Sequence, residues 1–305
     1  MRKNNNSHFK SHKGFSLIEL MIAIPVSLLV LFAVLKIFTA NIHGVSVQNG
    51  FSRVQENGRM AIELISRDIR GADYWGCAND RDDITNNLSD ATSVDLDLSD
   101  GGLEGNNDVS SLTIDSENVL DGTDTLTLRG AQSYSNVAVN ADMSSTSDSI
   151  SITSGSSIAK DEMILITDCV VGDIFSNSAT SSSTLTHSGN LSSAYAIGAQ
   201  ILSPSSRTYF IAASASDSSV YSLYSSVNGS VSEVVRGVSD LQIRYGEDTN
   251  SSGSVDTYSD ADSVSDMDDV LTIKIELVSE SGNGVSGTSI ERTYTATTNI
   301  RNHTL

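Results

Sequence analysis

The chain opens with one long apolar run. Residues 15–40 are apolar apart from Glu19, Lys36 and a few small polar residues. As a helix with a rise of 1.5 Å per residue, this run measures about 39 Å, enough to cross a bilayer core about 30 Å thick. The run is longer than the apolar part of a secretory signal peptide, and no A-x-A cleavage motif follows it. We therefore predict a transmembrane helix.

The helical pattern continues beyond the transmembrane segment. Small and apolar residues recur at spacings of three and four, and charged residues lie mostly on the other side. The predicted stripe consists of Phe51, Val54, Gly58, Ala61 or Ile62, Ile65 and Ile69. We predict one helix from about residue 15 to about residue 70, with its second half packed on a domain. Pro25 should kink this helix, because proline removes a backbone hydrogen bond.

The pattern after residue 76 is that of a β-rich domain. Residues 78–123 are rich in Asp, Asn, Ser and Gly and predict long loops. Runs that alternate apolar and polar residues then predict strands of a sheet with one covered face. The predicted strands are Thr125–Arg129, Ser149–Thr153, Met163–Cys169, Thr208–Ala212, Val220–Ser225, Leu241–Tyr245, Leu271–Leu277 and Thr293–Ile300. The predicted fold class is α+β, with a long N-terminal helix packed on an antiparallel sheet.

Charge is distributed unevenly along the 305 residues. The first fourteen residues carry four basic side chains and no acid, which predicts a cytoplasmic N-terminus and a body outside the cytoplasm. The whole chain has 18 basic against 38 acidic residues, a formal net charge of -20. So acidic a chain argues against nucleic acid as a partner, because phosphates would be repelled.

The chain has two cysteines, Cys77 and Cys169, and both follow the apolar run. If the body lies outside the cytoplasm, they can pair in an oxidising compartment. The alternative is two unrelated buried thiols. We predict the disulfide, with Trp75 packed in the core beside it.

The start of the apolar run, GFSLIELMIA, resembles the prepilin signature of type IV pilins and of their type II secretion relatives. In that family a membrane peptidase cuts after the glycine and methylates the new N-terminal amine. The resemblance implies cleavage between Gly14 and Phe15, and it implies that Phe15 becomes the methylated first residue. Glu19 then stands at the position of the family's acid.

Three further stretches resemble PilW-type minor pilins. NGRMAIELISRDIRGADYWGC is similar to the region after the membrane helix, and EVVRGVSDLQIRYGEDTN and TNIRN are similar to the family's late domain. The resemblance implies a leader at 1–14, a membrane and assembly segment at 15–40, an amphipathic segment at 41–71 and an extracytoplasmic domain at 72–305.

The same resemblance implies a fibre subunit that acts in an initiating or tip complex. Its implied partners are other minor and major pilins, the prepilin peptidase and the inner-membrane assembly platform. The resemblance also implies that the bilayer holds the chain before assembly and that the pilus surface displays it afterwards. Two other functions stay open: a type II secretion pseudopilin, and a membrane-anchored adhesin or ligand-binding ectodomain whose anchor stays uncut.

Glu19 is the one acid within the apolar run. An acid at the centre of a membrane helix costs about 2.5–3.5 kcal/mol, but Glu19 lies only about 6 Å of helix from Phe15 and so near the interface. The resemblance implies that Glu19 attracts the Phe15 amine of a neighbouring subunit and sets the axial register. The alternative is an acid tolerated at the membrane edge without a partner.

The stretch DTNSSGSVDTYSD is a candidate calcium loop. It has oxygen-bearing side chains at alternating positions and a glycine at the turn, as in the first nine positions of such a loop. The candidate ligands are Asp248, Asn250, Ser252 and Asp256. Ser259 stands where a bidentate Glu would be, and no helical pattern flanks the loop. A solvated acidic hairpin is the competing interpretation, and no other cofactor is predicted.

The motif matches in the sequence do not indicate a catalytic site. GNGVSG at 282–287 lies between two strand patterns, so we predict a hairpin turn and no phosphate site. Ser157 and Lys160 fit S-x-x-K, but its companion motifs are missing. H-E-x-x-H and G-x-S-x-G are absent from the sequence. We therefore expect a protein that is not an enzyme.

Overall fold

The structure is a computed structural model that describes Gly14 and residues 16–78, 81–88, 96, 101–153, 158–282 and 289–303. The chain divides into two compact units between Gly50 and Phe51. This boundary falls inside a single helix, α1, which spans Leu17–Ile69.

Helix α1 has 53 residues and continues through Pro25. Within the first unit, none of the described residues is buried. Within the second unit, the predicted stripe is confirmed at all positions except Phe51, which is 50% exposed. The buried residues of α1 are Val54, Gly58, Ala61, Ile65, Ser66 and Ile69.

The second unit is rich in short antiparallel strands. Each of the eight predicted strands overlaps an observed one. The strands are β1 Ile84–Asn86, β2 Leu103–Asn106, β3 Thr113–Ile114, β4 Glu117–Asn118, β5 Thr125–Ser133, β6 Ile150–Ser151, β7 Met163–Thr167, β8 Gly172–Ser176, β9 Thr184–Leu185, β10 Gln200–Ser214, β11 Asp217–Val227, β12 Ser230–Arg236, β13 Val238–Glu247, β14 Thr257–Ser259, β15 Val270–Glu280 and β16 Glu291–Asn299.

Two main sheets stand where the sequence predicts one. The larger sheet has the order β1-β8-β7-β10-β11-β12, and β5 joins it through β10 and carries β2 on its other side. The smaller sheet has the order β14-β13-β15-β16, and β3–β4 and β6–β9 form two separate pairs. Strands β1 and β8 pair in parallel, and the other pairs of named strands are antiparallel. The α+β class is therefore confirmed.

The prediction of long loops for 78–123 is wrong in part, because β1 to β4 lie in this segment. Strand β2 has the sequence LEGN, with one apolar residue, so it shows no alternation that a pattern could detect. Its pairing with β5 supplies the hydrogen bonds that make it a strand.

The buried stripe of α1 completes the main core of the second unit. Ala61 and Ile65 belong to one apolar cluster with Leu126 of the larger sheet and Ile273 of the smaller sheet. Each apolar side chain removed from water contributes about 1.5–3 kcal/mol to folding. Tertiary packing therefore holds this half of the helix in place.

Candidate functional site

The first half of α1 exposes apolar surface on all sides. Its large apolar side chains, from Leu17 to Val45, are each half or more exposed. The helix is long and apolar enough to cross a membrane. Exposed apolar surface on this scale marks a contact with lipid or with other proteins. The segment is therefore compatible with a single-pass membrane anchor.

The residues of the implied processing site lie where α1 begins. Gly14 is exposed, and no heavy atom lies within 4 Å of the position that a Cβ would take there. Phe15 lies outside the described residues. Glu19 is exposed in the first turn of α1, where the helix dipole favours a negative charge. Among the described residues no side chain pairs with Glu19, so its pairing with a neighbouring subunit stays a prediction.

The predicted disulfide between Cys77 and Cys169 is present. The sulfur atoms lie 2.05 Å apart, and the Cα atoms lie 4.7 Å apart. Cys77 follows the end of α1, and its backbone N–H donates to Gln200 Oε1 at 3.1 Å. Cys169 lies between β7 and β8. Trp75 is buried as predicted, in an apolar cluster with residues of both of these strands.

A polar network that the sequence analysis missed surrounds Asp73, in the segment after α1. One carboxylate oxygen of Asp73 accepts hydrogen bonds from Trp75 Nε1 at 2.7 Å and from Arg81 Nη1 at 3.4 Å. The other oxygen lies 2.9 Å from His303 Nε2. Arg81 also donates to both carboxylate oxygens of Asp268, at 2.8 and 3.1 Å. The network therefore joins the end of the helix to the last described residue.

The network shifts the ionisation of its members. Burial raises the pKa of Asp73, but the hydrogen bonds from His303 and Trp75 and the charges of His303 and Arg81 outweigh it, so the pKa lies below its usual value. Burial lowers the pKa of His303, but the hydrogen bond to Asp73 and the Asp73 charge outweigh it, so that pKa lies above its usual value. Both shifts favour the charged pair.

Asp73, Asp268 and His303 also bring three potential metal-ligand atoms within 4.8 Å of one another. However, Arg81 lies on both carboxylates, at 3.4 Å from Asp73 and 2.8 Å from Asp268. A guanidinium already supplies the positive charge that a metal would provide there. We therefore interpret the cluster as a structural network. Its members are far apart in the sequence and share no motif spacing, so no local signal could have found them.

The candidate calcium residues lie in the hairpin that joins β13 and β14. The Asp248 carboxylate accepts from the backbone N–H of Ser252 at 2.9 Å and of Gly253 at 2.6 Å. The Asp256 carboxylate accepts from Asn250 Nδ2 at 2.9 Å. The hydrogen bonds to Asp248 hold the pKa of its carboxyl below its usual value, and the bond from the backbone N–H of Ser252 has the largest effect. The structure thus brings all four candidates together in one turn, and calcium binding stays a prediction.

The two remaining motifs fall partly outside the described residues. Of GNGVSG, only Gly282 is described, just after β15. Of the S-x-x-K motif, Ser157 is not described, while Lys160 pairs with Asp161 at 3.7 Å.

Comparison with known proteins finds a family match in the C-terminal third of the chain. Residues 208–304 match the family model PilW, described as Type IV Pilus-assembly protein W. This range includes the smaller sheet and His303. No curated protein matches the chain. The match, together with the long apolar helix and the antiparallel-rich domain, supports a PilW-type type IV pilus protein that takes part in pilus assembly.

Proposed function

We propose that the chain is a minor pilin, a non-catalytic fibre subunit that acts in the initiation or tip complex of a type IV pilus. It is made as a single-pass inner-membrane prepilin with its body in the periplasm, and it is then incorporated into the pilus. Its partners are other minor and major pilins, the prepilin peptidase and the inner-membrane assembly platform.

One observation carries this proposal: α1 is exposed and apolar in its first half and packed into a domain in its second half. A fibre subunit needs both properties. Lipid covers the apolar surface before assembly, and the equivalent helices of other pilins cover it in the fibre. The apolar surface is thus shielded from water in both states, first by lipid and then by packing against other helices.

Processing at Gly14 would free the amine of Phe15 close to Glu19. The carboxylate of Glu19 and the amine of a neighbouring subunit would form an ion pair in an apolar environment, where removing one partner costs about 3–5 kcal/mol. Only one axial stagger brings the two charges together. The pair would therefore set the register of the subunit in the fibre.

The disulfide agrees with an extracytoplasmic body. Disulfides form and persist in the periplasm and on cell surfaces and are rare in the cytoplasm. The Cys77–Cys169 bond lies in the unit that begins at Phe51. That whole unit would accordingly fold outside the inner membrane.

The experiment that tests the proposal is mass analysis of the N-terminal peptide from sheared surface fibres of the native host. We expect a mature chain that begins at methylated Phe15, in the pilus fraction. An uncut chain found only in the membrane fraction would overturn the proposal and favour an anchored ectodomain.

Replacement of the acid tests the assembly mechanism. In Glu19→Val, we expect unchanged membrane levels and at least about a tenfold loss from the pilus fraction, because the buried pair is broken. Met21→Val is the matched control, since Met21 is a similarly exposed neighbour without charge. Equal amounts of the Glu19→Val and Met21→Val proteins in the pilus fraction would refute the ion pair.

A further inference from the structure

Strand β16 forms one edge of the smaller sheet, and one side of its backbone is unpaired. It pairs with β15 along its whole length of nine residues, without a bulge. Beyond the strand, the N–H of Ile300 continues this ladder by donating to the carbonyl of Leu271 at 2.9 Å, so the even-numbered residues of β16 face β15. The odd-numbered residues direct their N–H and C=O groups away from β15, and no described residue bonds to these groups. They are Glu291, Thr293, Thr295, Thr297 and Asn299.

The free edge of β16 lacks the features that protect other sheet edges. Natural proteins blunt an edge with charges, proline, a bulge or a very short strand. The edge strands β1 and β14 have only three residues each. The edge strand β12 has an irregular register, and Asn57 of α1 donates to its Arg236 carbonyl at 2.7 Å. Residues 293–299 of β16 include no charge and no proline. Such an edge pairs readily with another strand.

The helix surface beside this edge is apolar. On α1, Asn57 faces β12 and Gly58 faces β16. At about 100° per residue, Phe51 and Ile62 stand within about 40° of Gly58, on the side away from Asn57. Phe51 is 50% exposed and Ile62 is partly exposed. A strand added to β16 would therefore direct every second side chain toward this apolar surface.

These features define the chemistry of the partner. An extended peptide chain carries N–H and C=O groups at the spacing of about 6.8 Å that the free edge repeats. Its side chains toward α1 must be apolar to cover Phe51 and Ile62, and those on the other face would lie beside exposed threonines of β16. We propose that the free edge of β16 binds an extended strand of another protein, in which apolar and hydroxyl-bearing side chains alternate.

The β16 strand of a second copy of this chain matches the edge less well. The Tyr294 hydroxyl bonds to Val54, and the segment after β16 reaches the end of α1, so β16 and α1 run in the same direction. Phe51, about one turn before Val54, therefore lies level with the first residues of β16. In an antiparallel pair of β16 strands centred on Thr295, these residues lie opposite Thr298. A hydroxyl, instead of an apolar side chain, would then face Phe51.

The test uses the full chain, with its disulfide intact, in dodecyl maltoside micelles. The probe is a synthetic peptide as long as β16, with alternating valine and threonine and a lysine at each end for solubility. The control peptide has the same sequence with N-methyl groups on two adjacent central amides, one for each edge of the strand. By calorimetry we expect the probe to bind saturably with a Kd on the order of 100 μM. The control peptide should not bind, because it cannot complete the ladder.

Variants of the edge and of the helix surface separate backbone pairing from side-chain contact. Thr295→Pro removes an N–H that does not face β15, so it should spare the fold and weaken binding of the probe at least about tenfold. Thr295→Val keeps that N–H and is its control. Phe51→Ala should weaken binding about fivefold. Met60→Ala should leave it unchanged, because Met60 is 49% exposed on the opposite side of α1.

Hydrogen exchange tests the same edge without a variant. In the free chain, the amides of Thr293, Thr295 and Thr297 should exchange rapidly, and those of Tyr294 and Ala296 should be protected by β15. The probe should slow the three threonine amides at least about tenfold.

Four results would overturn the proposal. They are absence of binding at about 1 mM probe, equal binding of the probe and its N-methylated control, equal affinity of Thr295→Pro and Thr295→Val, and protection of the threonine amides by self-association of the chain without the probe. The last result would assign the edge to a second copy. Binding of the probe depends neither on cleavage nor on piliation, so its outcome is separate from that of the fibre experiments.

Discussion

The hydrogen bonds of His303 require two protons on its ring. Nδ1 lies 2.8 Å from the carbonyl oxygen of Val270, which can only accept, and Nε2 lies 2.9 Å from the Asp73 carboxylate. The other charged groups at this point are Asp268, which adds to the attraction, and Arg81, which pairs with both carboxylates. The folded chain therefore favours the imidazolium form.

We expect the stability of the second unit to fall as pH rises from about 6.5 through the folded-state pKa of His303. The sign follows because the folded state holds this proton more tightly than the unfolded state does. That advantage is complete below the unfolded pKa and is lost above the folded one, with a slope of at most about 1.4 kcal/mol per pH unit.

The measurement is the free energy of unfolding against pH for the unmodified chain, for His303→Gln and for His43→Gln. His43 is exposed, so its replacement should leave the slope unchanged. The slope above pH about 6.5 should flatten in His303→Gln. Parallel curves for His303→Gln and the unmodified chain would show that the imidazolium does not stabilise the fold.

Residue-scale prediction from the sequence succeeded where chemistry restricts the choice of partner. Two cysteines can form only one disulfide, and that bond is present. Asp73 and His303 meet across 230 residues, and an acid in this chain has many possible partners. Composition and spacing carry no information about such a pair, because tertiary packing alone selects it.

At the scale of elements, α1 approaches the smaller sheet closely at Gly58. A Cβ built on Gly58 would lie 2.2 Å from the ring of Tyr294 on β16. The Tyr294 hydroxyl also donates to the carbonyl of Val54 at 3.2 Å, one turn earlier in the helix. The absence of a side chain at residue 58 is thus what lets the helix and the strand touch.

We expect Gly58→Leu to destabilise the second unit by about 1–3 kcal/mol, because the added side chain overpacks this contact. The measurement is chemical unfolding followed by circular dichroism. Gly44→Leu is the control, because no heavy atom lies within 4 Å of a Cβ at that position of the same helix. Stability of Gly58→Leu equal to that of Gly44→Leu would contradict the close approach.

Helices and strands with a regular spacing of apolar residues could be predicted from the sequence. Strands that exist only because they pair with a neighbouring strand could not. The spacing of three and four residues located the buried side of α1 from Val54 to Ile69. Phe51 continues the same spacing but is exposed. The spacing of apolar residues shows which side of a helix can pack, but it does not show at which residue packing begins. Strand β4, Glu117–Asn118, contains no apolar residue and exists through its pairing with β3.

At the scale of the whole molecule, one covalent bond restrains a long part of the second unit. The disulfide joins positions 92 residues apart in the sequence. In the chain-entropy view, closing a loop of this size stabilises the folded state by about 4–5 kcal/mol, because the unfolded chain loses conformations.

We expect the double variant Cys77→Ser/Cys169→Ser to lose about 2–5 kcal/mol of stability, measured by urea unfolding. Reductant should produce a similar loss in the unmodified chain and should leave the double variant unchanged. A reduced chain, verified by titration of two free thiols, that unfolds at the same urea concentration as the oxidised chain would contradict this prediction.

The contact between Asp73 and His303 has a consequence for the order in which the protein can be built. Synthesis delivers residue 303 long after residue 73, and Asn302 likewise bonds to the carbonyl of Ala72 at 2.6 Å. Strand β16, which covers Gly58, also arrives late. A chain in which β16 has not yet been made would therefore expose the packing side of its helix to proteases, and the arrival of β16 would cover that side.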